Sequence, residues 1–395
     1  MTAIATPLPA TRVDTGLLTD IKRFGAADIE ACFSCGVCTA TCPLVSDDGT
    51  FPRRMIRYAQ LGLKDQLLSS RELWTCYACG QCSEQCPQQA EPGEFMAAAR
   101  RWAVASYDRT KLAWGLGTDP VIGAVVAVLL AVALAAFMFA AHGPANATSL
   151  ELFGFIPNEL IHTLGLAIIA IVAVAGLLGV ATMISGLRRA TGVGIRGHTR
   201  AALGAAWTAV VVEALGQRRY RGECETDVRP WYRRRWFVHA ATMWGFLGLF
   251  AATILDYGLE LLGVKATGTV VPIWYPVRLL GTVAGVALLY GVSILIARRA
   301  RAQERSLRHS TIGDWTFLVL LWLAGASGFI LEIALYLPTA PVWGYGVFLF
   351  HVAIAMELVL LVPFTKFAHV IYRPVALFFL ALATSPAVAA GEGSR

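Results

Sequence analysis

The chain has 395 residues and a formal net charge of +7, and it is 56% hydrophobic but only 15% charged. This balance excludes an ordinary soluble domain, in which about 45–50% of residues are apolar and about 25% are charged. The basic runs flank long apolar segments, which is the pattern of membrane topology rather than of nucleic-acid binding. We therefore expect a membrane protein with no nucleic-acid partner.

Eight of the nine cysteines form two copies of the pattern Cys-x2-Cys-x2-Cys-x3-Cys-Pro. In a two-cluster bacterial ferredoxin this spacing holds 4Fe-4S clusters, and the fourth cysteine of each run ligates the other cluster. The pattern predicts two 4Fe-4S clusters with crossed ligation. The predicted ligands are Cys32, Cys35, Cys38 and Cys86 for the first cluster, and Cys76, Cys79, Cys82 and Cys42 for the second.

Two other uses of the cysteines fit less well. A disulfide framework requires an oxidising compartment, and no secretory signal is expected because the first 110 residues contain no apolar run of about 18 residues. Zinc needs only four ligands and would leave the third cysteine of each run without a purpose. Cys224 stands alone in a polar loop and is expected to be a free thiol.

The segment between the two cysteine runs predicts helices rather than strands. Pro52 suits a first helical position, and Met55, Ile56 and Ala59 recur at helical spacing. A second short helix is predicted from residue 65 to residue 73. We therefore expect residues 1–115 to form a helical ferredoxin-like domain with two 4Fe-4S clusters.

Residues 116–395 are dominated by apolar segments that are long enough to cross about 30 Å of hydrocarbon, and such segments must be helical in lipid. Six spans are predicted near residues 120–141, 158–186, 236–257, 277–298, 315–337 and 345–371. A shorter amphipathic helix at 199–216 is expected to lie on the membrane surface. The predicted fold class is all-α, with a helical ferredoxin domain followed by a six-helix transmembrane haem b bundle.

The distribution of basic residues predicts the orientation in the membrane. Loop 187–235 carries eleven Lys or Arg and loop 299–314 carries four, whereas loops 142–157 and 338–344 carry none. Basic loops remain in the cytoplasm. Six crossings then place the N-terminal domain and the C-terminus in the cytoplasm of a multi-pass inner (plasma) membrane protein.

Histidines in the predicted spans indicate haem. His351 and His369 fall in the last span, eighteen residues apart, which is five whole helical turns and about 27 Å along the axis. An ionisable or ligating residue inside a span is a functional candidate. This spacing predicts two haem b groups, one near each membrane surface, with two axial ligands each.

Depth in the membrane predicts the pairing of these ligands. His239 opens the third span on the cytoplasmic side and is paired with His369, while His162 begins the second span on the outer side and is paired with His351. His142 is an alternative to His162. The remaining His198 and His309 lie in basic loops and are expected to be solvated.

Several stretches resemble known redox subunits. Residues 25–105, with Trp74-Thr75-Cys76, resemble the C subunit of heterodisulfide reductase. The stretch 363–369, with His351 before it, resembles the last haem helix of the respiratory nitrate reductase gamma subunit. The stretch 235–246 resembles the matching helix of heterodisulfide reductase membrane subunits, although Leu249 stands where the nitrate reductase family has a second histidine. Nearly the whole chain looks like the C subunits of quinone-interacting membrane-bound oxidoreductases.

This resemblance implies an electron-transfer subunit of a quinone-linked oxidoreductase complex. The expected partners are a menaquinone or ubiquinone pool and flavoproteins similar to the heterodisulfide reductase A subunit, with a link to adenylylsulfate reductase in sulfur metabolism. Three alternatives stay open. They are a membrane subunit of another heterodisulfide reductase-like complex, a complete small quinone reductase, and a haem-free redox-sensing membrane anchor.

A quinone site is predicted beside the outer haem, where a proton-carrying acid is needed. Arg278, Glu332 and Tyr336, together with Asp256, are predicted at the outer ends of their spans. Glu332 is the predicted proton carrier, because a carboxylate in an apolar helix is costly unless it is paired or protonated. Arg278 has a second predicted use, which is to bind a haem propionate.

Overall fold

The computed structural model describes residues 12–45, 51–191, 198–223, 229–302, 305–337, 343–386 and 388. These residues contain helices and no strand, which confirms the predicted all-α class. Cys224 lies outside the described residues. The chain divides into two compact units.

The first unit contains the cysteine runs. Its described part extends to Tyr107 and also includes Gly179–Val211 and the residues from Ile371 onward. Helices up to Tyr107 are Leu17–Arg23, Val37–Ala40, Arg53–Gln60, Lys64–Leu68, Glu72–Thr75, Gln81–Glu84 and Pro92–Tyr107, with a 3-10 turn at Ala27–Ala31. The helix predicted after Pro52 is present, whereas the one predicted at 65–73 is two short helices.

A continuous apolar core supports the cysteine runs of the first unit. Trp102 and Phe95 of the helix Pro92–Tyr107 are fully buried, as are Leu17, Ile21 and Met55. The indole of Trp74 lies 5.2 Å from the ring of Tyr372. The C-terminal helix His369–Ala383 therefore contributes to this core from its fourth residue onward.

Among the described residues, seven helices are long and apolar enough to cross a membrane. They are Pro120–Phe139, Asn158–Thr191, Arg235–Leu261, Pro276–Ala300, Ile312–Leu335, Trp343–Leu360 and Lys366–Ala383. Shorter helical segments are Leu112–Thr118, Leu152–Phe155, Thr199–Trp207, Arg218–Glu223 and Arg305–Arg308, with 3-10 turns at Trp231–Arg233, Val362–Phe364 and Lys366–Ala368 and a π-helical stretch at Thr208–Leu215.

The prediction of one continuous span at 345–371 is wrong. The helix that contains His351 ends at Leu360, and two short 3-10 turns separate it from a new helix that begins at His369. Pro363 lies at this break, where a proline cannot continue the hydrogen-bond ladder of a helix. Because the axis is broken, the eighteen-residue spacing does not place His351 and His369 on one face of one helix.

The seventh apolar helix differs from the others in its surroundings. From Ile371 onward it belongs to the first unit, where Arg373 lies over the ring of Tyr77, 4.2 Å from its centroid. Leu382 of the same helix packs with Ala202 and Ala205. Its described contacts are therefore with the first unit, which includes both the cysteine runs and the end of the helix Asn158–Thr191.

In the second unit, glycines allow two long helices to approach closely. A Cβ atom at Gly245 would stand 2.5 Å from the backbone nitrogen of Leu288, and one at Gly291 would collide with Thr242. Small residues at such contacts are typical of helix packing in lipid, where backbone proximity replaces the hydrophobic effect. This packing fixes the helix Arg235–Leu261, which carries His239.

Candidate metal centres

The two cysteine loops have the same backbone conformation. The second residue after the first cysteine has a positive φ in both loops, 63° at Ser34 and 54° at Ala78, and the fourth residue is a glycine with φ 92° at Gly36 and 89° at Gly80. Each glycine precedes a one-turn helix. Non-glycine residues in the left-handed region are strained and persist only where the surrounding structure holds them, so both loops are held in the same specific backbone conformation.

The thiols form two groups that each draw on both cysteine runs. Burial, and then the neighbouring thiols of Cys32, Cys35 and Cys86, raise the pKa of the Cys38 thiol, whereas a hydrogen bond with Thr39 lowers it. Cys86 comes from the second run, so the loops exchange one cysteine.

The second group mirrors the first. Burial raises the pKa of the Cys82 thiol, and the neighbours Cys76, Cys79 and Cys42 raise it further. In the described part of the chain no three His, Cys, Asp or Glu side chains converge tightly enough to hold a single metal ion. The Cys38 thiol of the first group also raises the pKa of Cys82, so the two sets of four thiols adjoin, as the ligand sets of a two-cluster 4Fe-4S domain do.

Two histidines of the second unit face each other. The ring centroids of His239 and His369 are 6.4 Å apart, and the ring planes are tilted by 57°. Two imidazoles that bind one metal ion from opposite sides at about 2.0–2.1 Å would have ring centres roughly 6 Å apart. Nδ1 of His369 lies 2.8 Å from the carbonyl oxygen of Lys366. This bond assigns the proton to Nδ1 and leaves Nε2 for a metal.

The other predicted histidine pair is not brought together by the contacts described. The ring of His162 stacks on Tyr257 at 4.0 Å. His351 instead shares a hydrogen bond of 2.9 Å between its Nδ1 and the hydroxyl of Ser327, and its ring lies against Gly328, where a Cβ would come within 3.1 Å. His142, the alternative ligand, stacks on Phe139 at 4.2 Å.

Three of the four residues predicted for a quinone site meet in the structure. Nε of Arg278 lies 3.2 Å from Oε1 of Glu332, and the side chains are only 18% and 19% exposed. The Arg278 guanidinium also lies over the ring of Tyr336, 5.1 Å from its centroid. Asp256 is not part of this group, because both of its carboxylate oxygens accept hydrogen bonds of 2.7 Å from Lys265.

Sequence reasoning missed two buried carboxylates. Asp314, 4% exposed, is 2.7 Å from Nζ of Lys366 and 3.3 Å from Nη1 of Arg299. Glu357, 1% exposed, lies in the His351 helix, and neither of its carboxylate oxygens has a hydrogen-bond partner among the described residues. Glu357 could have been found from the sequence, because it is a single acidic residue in the apolar run 343–360 and such a residue is a functional candidate.

Comparison with known proteins agrees with both halves of this description. Residues 28–90 match the family described as a 4Fe-4S dicluster domain, which confirms the predicted iron–sulfur domain. The chain is similar to the E subunit of the dihydromethanophenazine:CoB–CoM heterodisulfide reductase of Methanosarcina mazei, with 30% identity over 156 residues, or 36% of this chain and 58% of that protein.

A second group of relatives matches a shorter stretch. The C subunit of the H2:CoB–CoM heterodisulfide,ferredoxin reductase of Methanothermobacter marburgensis is 39% identical over 62 residues, or 16% of this chain and 34% of that protein. The iron–sulfur C subunit of the CoB–CoM heterodisulfide reductase of Methanopyrus kandleri is 41% identical over 46 residues, or 12% of this chain and 24% of that protein. The chain thus spans well under two thirds of the length of each of these relatives. It combines a 4Fe-4S dicluster domain with membrane-type apolar helices and is similar to the C and E subunits of heterodisulfide reductases, consistent with a C-like iron–sulfur domain fused to an E-like membrane domain.

Proposed function

We propose that this chain is the membrane electron-transfer subunit of a heterodisulfide reductase-like complex that exchanges electrons with a quinone pool. The observation that carries the proposal is the presence in one chain of two four-thiol groups and a facing histidine pair, His239 and His369. When bound, two 4Fe-4S clusters and b haems supply one-electron carriers. The two-electron carrier is menaquinone or ubiquinone.

The cysteines hold the iron–sulfur part of the relay. Cys32, Cys35, Cys38 and Cys86 would ligate one cluster, and Cys76, Cys79, Cys82 and Cys42 the other. The grouping of the thiols around Cys38 and around Cys82 supports this assignment. Each group contains one cysteine from the other run. Loss of either cluster would therefore release one cysteine of the other loop and loosen that loop as well.

His239 and His369 would together hold one haem, which would supply a one-electron carrier. The Lys366 carbonyl orients the His369 ring, and the close packing of Gly245 and Gly291 fixes the helix that carries His239. His351 would ligate a second haem, with Ser327 orienting its ring. His162 remains the proposed partner of His351, although its ring stacks on Tyr257.

Glu332 and Arg278 are the proposed quinone-binding groups. Their ion pair keeps the carboxylate inside the helix bundle, and the hydroxyl of Thr282 also donates to Glu332 at 3.3 Å. A carboxylate held by a cation and a hydroxyl can pass a proton to or from a quinone oxygen by a small movement. Tyr336 closes this group by packing under the Arg278 guanidinium.

The proposed partners are cytoplasmic flavoproteins similar to the heterodisulfide reductase A subunit, with adenylylsulfate reductase as a further redox partner. The basic loops support a cytoplasmic first unit. Because the C-terminal helix belongs to the same unit as the cysteines, we propose six membrane crossings, with both ends of the chain on the cytoplasmic side of the plasma membrane.

The test is to purify the full chain from its native membrane and to measure haem, iron and acid-labile sulfide. A menaquinol analogue should reduce the haem in the purified protein, and a flavoprotein subunit should co-purify. A chain that binds clusters but no haem would overturn the relay and favour a redox-sensing anchor. A chain that transfers electrons from quinol to a soluble carrier without any flavoprotein would favour a complete small reductase.

A further inference from the structure

The two cysteine loops differ in one contact. In the first loop the carbonyl oxygen of Cys32 accepts a hydrogen bond of 2.9 Å from Nε2 of Gln60. In the second loop the equivalent carbonyl, that of Cys76, accepts a bond of 2.6 Å from Nη1 of Arg100. The same backbone position is thus capped by a neutral amide in one loop and by a cation in the other.

The positive charge of Arg100 is not cancelled locally. The adjacent Arg101 is paired with Glu94 at 2.6 Å, but no carboxylate of the described residues pairs with Arg100. Burial lowers the pKa of Arg100, and the nearby Cys76 thiol raises it. An arginine guanidinium nevertheless stays protonated in proteins. A full positive charge therefore lies beside the second thiol group.

Cations near the first thiol group lie in different positions. Nη1 of Arg57, an exposed residue, donates to Oε1 of Gln60 at 3.2 Å, so this charge reaches the Cys32 carbonyl only through the amide. The guanidinium of Arg53 lies near Gly36, 3.3 Å from where a Cβ would stand. Arg53 is exposed to solvent, while Arg100 is partly buried. Water screens a charge at an exposed position far more strongly than one inside the protein. The two loops consequently offer different electrostatic environments on the same backbone.

We infer that Arg100 raises the reduction potential of the cluster held by Cys76, Cys79, Cys82 and Cys42, so that this cluster is the more easily reduced of the two. The inference rests on the two clusters of the proposed function. Reduction adds one negative charge, which a buried cation stabilises more than a neutral amide does, and charge and hydrogen bonding are the established determinants of such potentials. Arg100 acts through its positive charge beside the cluster and does not ligate iron.

For the relay, the consequence is that the two clusters differ in reduction potential in a fixed order. With the same ligands and the same loop backbone, two clusters would have similar potentials, and an electron would be shared between them. The carbonyl of the first cysteine is bonded by Gln60 in the first loop and by Arg100 in the second loop. This difference favours the electron on the second cluster. Exposure of Cys35 in the first loop acts in the opposite direction, because water also stabilises added charge, so the experiment must measure both the order in the wild-type protein and the shift between variants of one cluster.

The experiment is a redox titration of the purified full chain with dithionite, followed by EPR. Arg100→Gln should lower the midpoint potential of one cluster signal by about 59 mV, which is a tenfold change in a one-electron equilibrium. Arg100→Lys keeps the charge and should restore most of the shift. Gln60→Arg should raise the potential of the other signal, and Arg53→Gln serves as the exposed-charge control with little effect on either.

The outcomes separate this inference from the proposed function. A chain without iron and acid-labile sulfide would overturn both. Clusters that are present with an unshifted potential in Arg100→Gln would overturn the inference alone, as would a wild-type protein in which the signal sensitive to Arg100 is the harder one to reduce. If Arg100→Gln fails to assemble its cluster, Gln60→Arg decides, because an unchanged first signal in that variant contradicts the role of the capping charge.

Discussion

The rings of His239 and His369 face each other with centroids 6.4 Å apart, although 130 positions separate the two residues along the chain. One ring comes from the start of a long membrane-type helix, and the other from the first residue of the C-terminal helix. Neither helix alone could form this pair. The relationship is the strongest structural support for a haem ligand pair in the second unit.

His239→Ala and His369→Ala should therefore remove the same haem. Each variant loses one of two axial ligands, and the remaining imidazole cannot hold a low-spin haem. Haem content per chain, measured as the pyridine complex, should fall by about half in both, and the same low-spin EPR signal should disappear. His351→Ala should keep that signal, and His309→Ala, in a basic loop, is the control. Normal haem content in His239→Ala would contradict the pair.

Cys42→Ser should damage the cluster of the second cysteine run. The Cys42 thiol lies near Cys82 and is grouped with Cys76 and Cys79, so its loss removes a ligand from that set. EPR of the reduced protein should show the same missing signal in Cys42→Ser and Cys76→Ser. Cys86→Ser should instead match Cys32→Ser. If Cys42→Ser matched Cys32→Ser, the crossed ligation would be wrong.

Glu332→Gln should slow the reduction of haem by a quinol analogue by at least tenfold, because a positioned acid or base contributes about 10²–10⁴-fold to proton transfer. Haem and cluster content should not change, since Glu332 is not a proposed ligand. Asp256→Asn is the matched control, as Asp256 pairs with Lys265 instead. Stopped-flow absorbance gives the rate. An unchanged rate would favour a quinone site beside His239 and His369.

Glu357→Met should stabilise the protein. Both carboxylate oxygens of Glu357 are buried without a hydrogen-bond partner among the described residues, and an unsatisfied buried polar group costs about 1–3 kcal/mol. Thermal unfolding in detergent should show a higher midpoint. Glu332→Met, which breaks the ion pair with Arg278, should lower the midpoint and is the comparison. A lower midpoint in Glu357→Met would mean that the carboxylate has a stabilising partner, such as a bound cofactor.

Much of the fold could be predicted from local sequence. The apolar segments predicted membrane-type helices, because lipid allows the backbone no other partner, and five of the six appear close to the predicted bounds. The last predicted span failed at Pro363. Hydropathy continues smoothly through residues 345–371, but the proline and two 3-10 turns end the helix. Hydropathy averaged over the length of a membrane span does not detect a helix break of only a few residues.

The candidate sites were predictable to different degrees. The cysteine sets were predicted from the ferredoxin spacing, in which the fourth cysteine of each run ligates the other cluster, and the crossed ligation stays a prediction. Arg278, Glu332 and Tyr336 were predicted to lie together at the outer ends of their spans, but the ion pair between Arg278 and Glu332 was not predicted. The pairing of His162 with His351 stays a prediction, since their described contacts are with Tyr257 and Ser327. Depth fixes height along the bilayer normal but not the direction in which a helix face points.

The sequence by itself determined the all-α class, the iron–sulfur domain and the membrane character, because cysteine spacing and continuous apolarity are local properties with few physical solutions. The tertiary structure alone decided which residues meet. It placed the C-terminal helix against Trp74 in the first unit, opposed His369 to His239, and set Arg100 rather than a neutral amide on the second cysteine loop. Those contacts join residues far apart in the chain, and only the packing of whole helices specifies them.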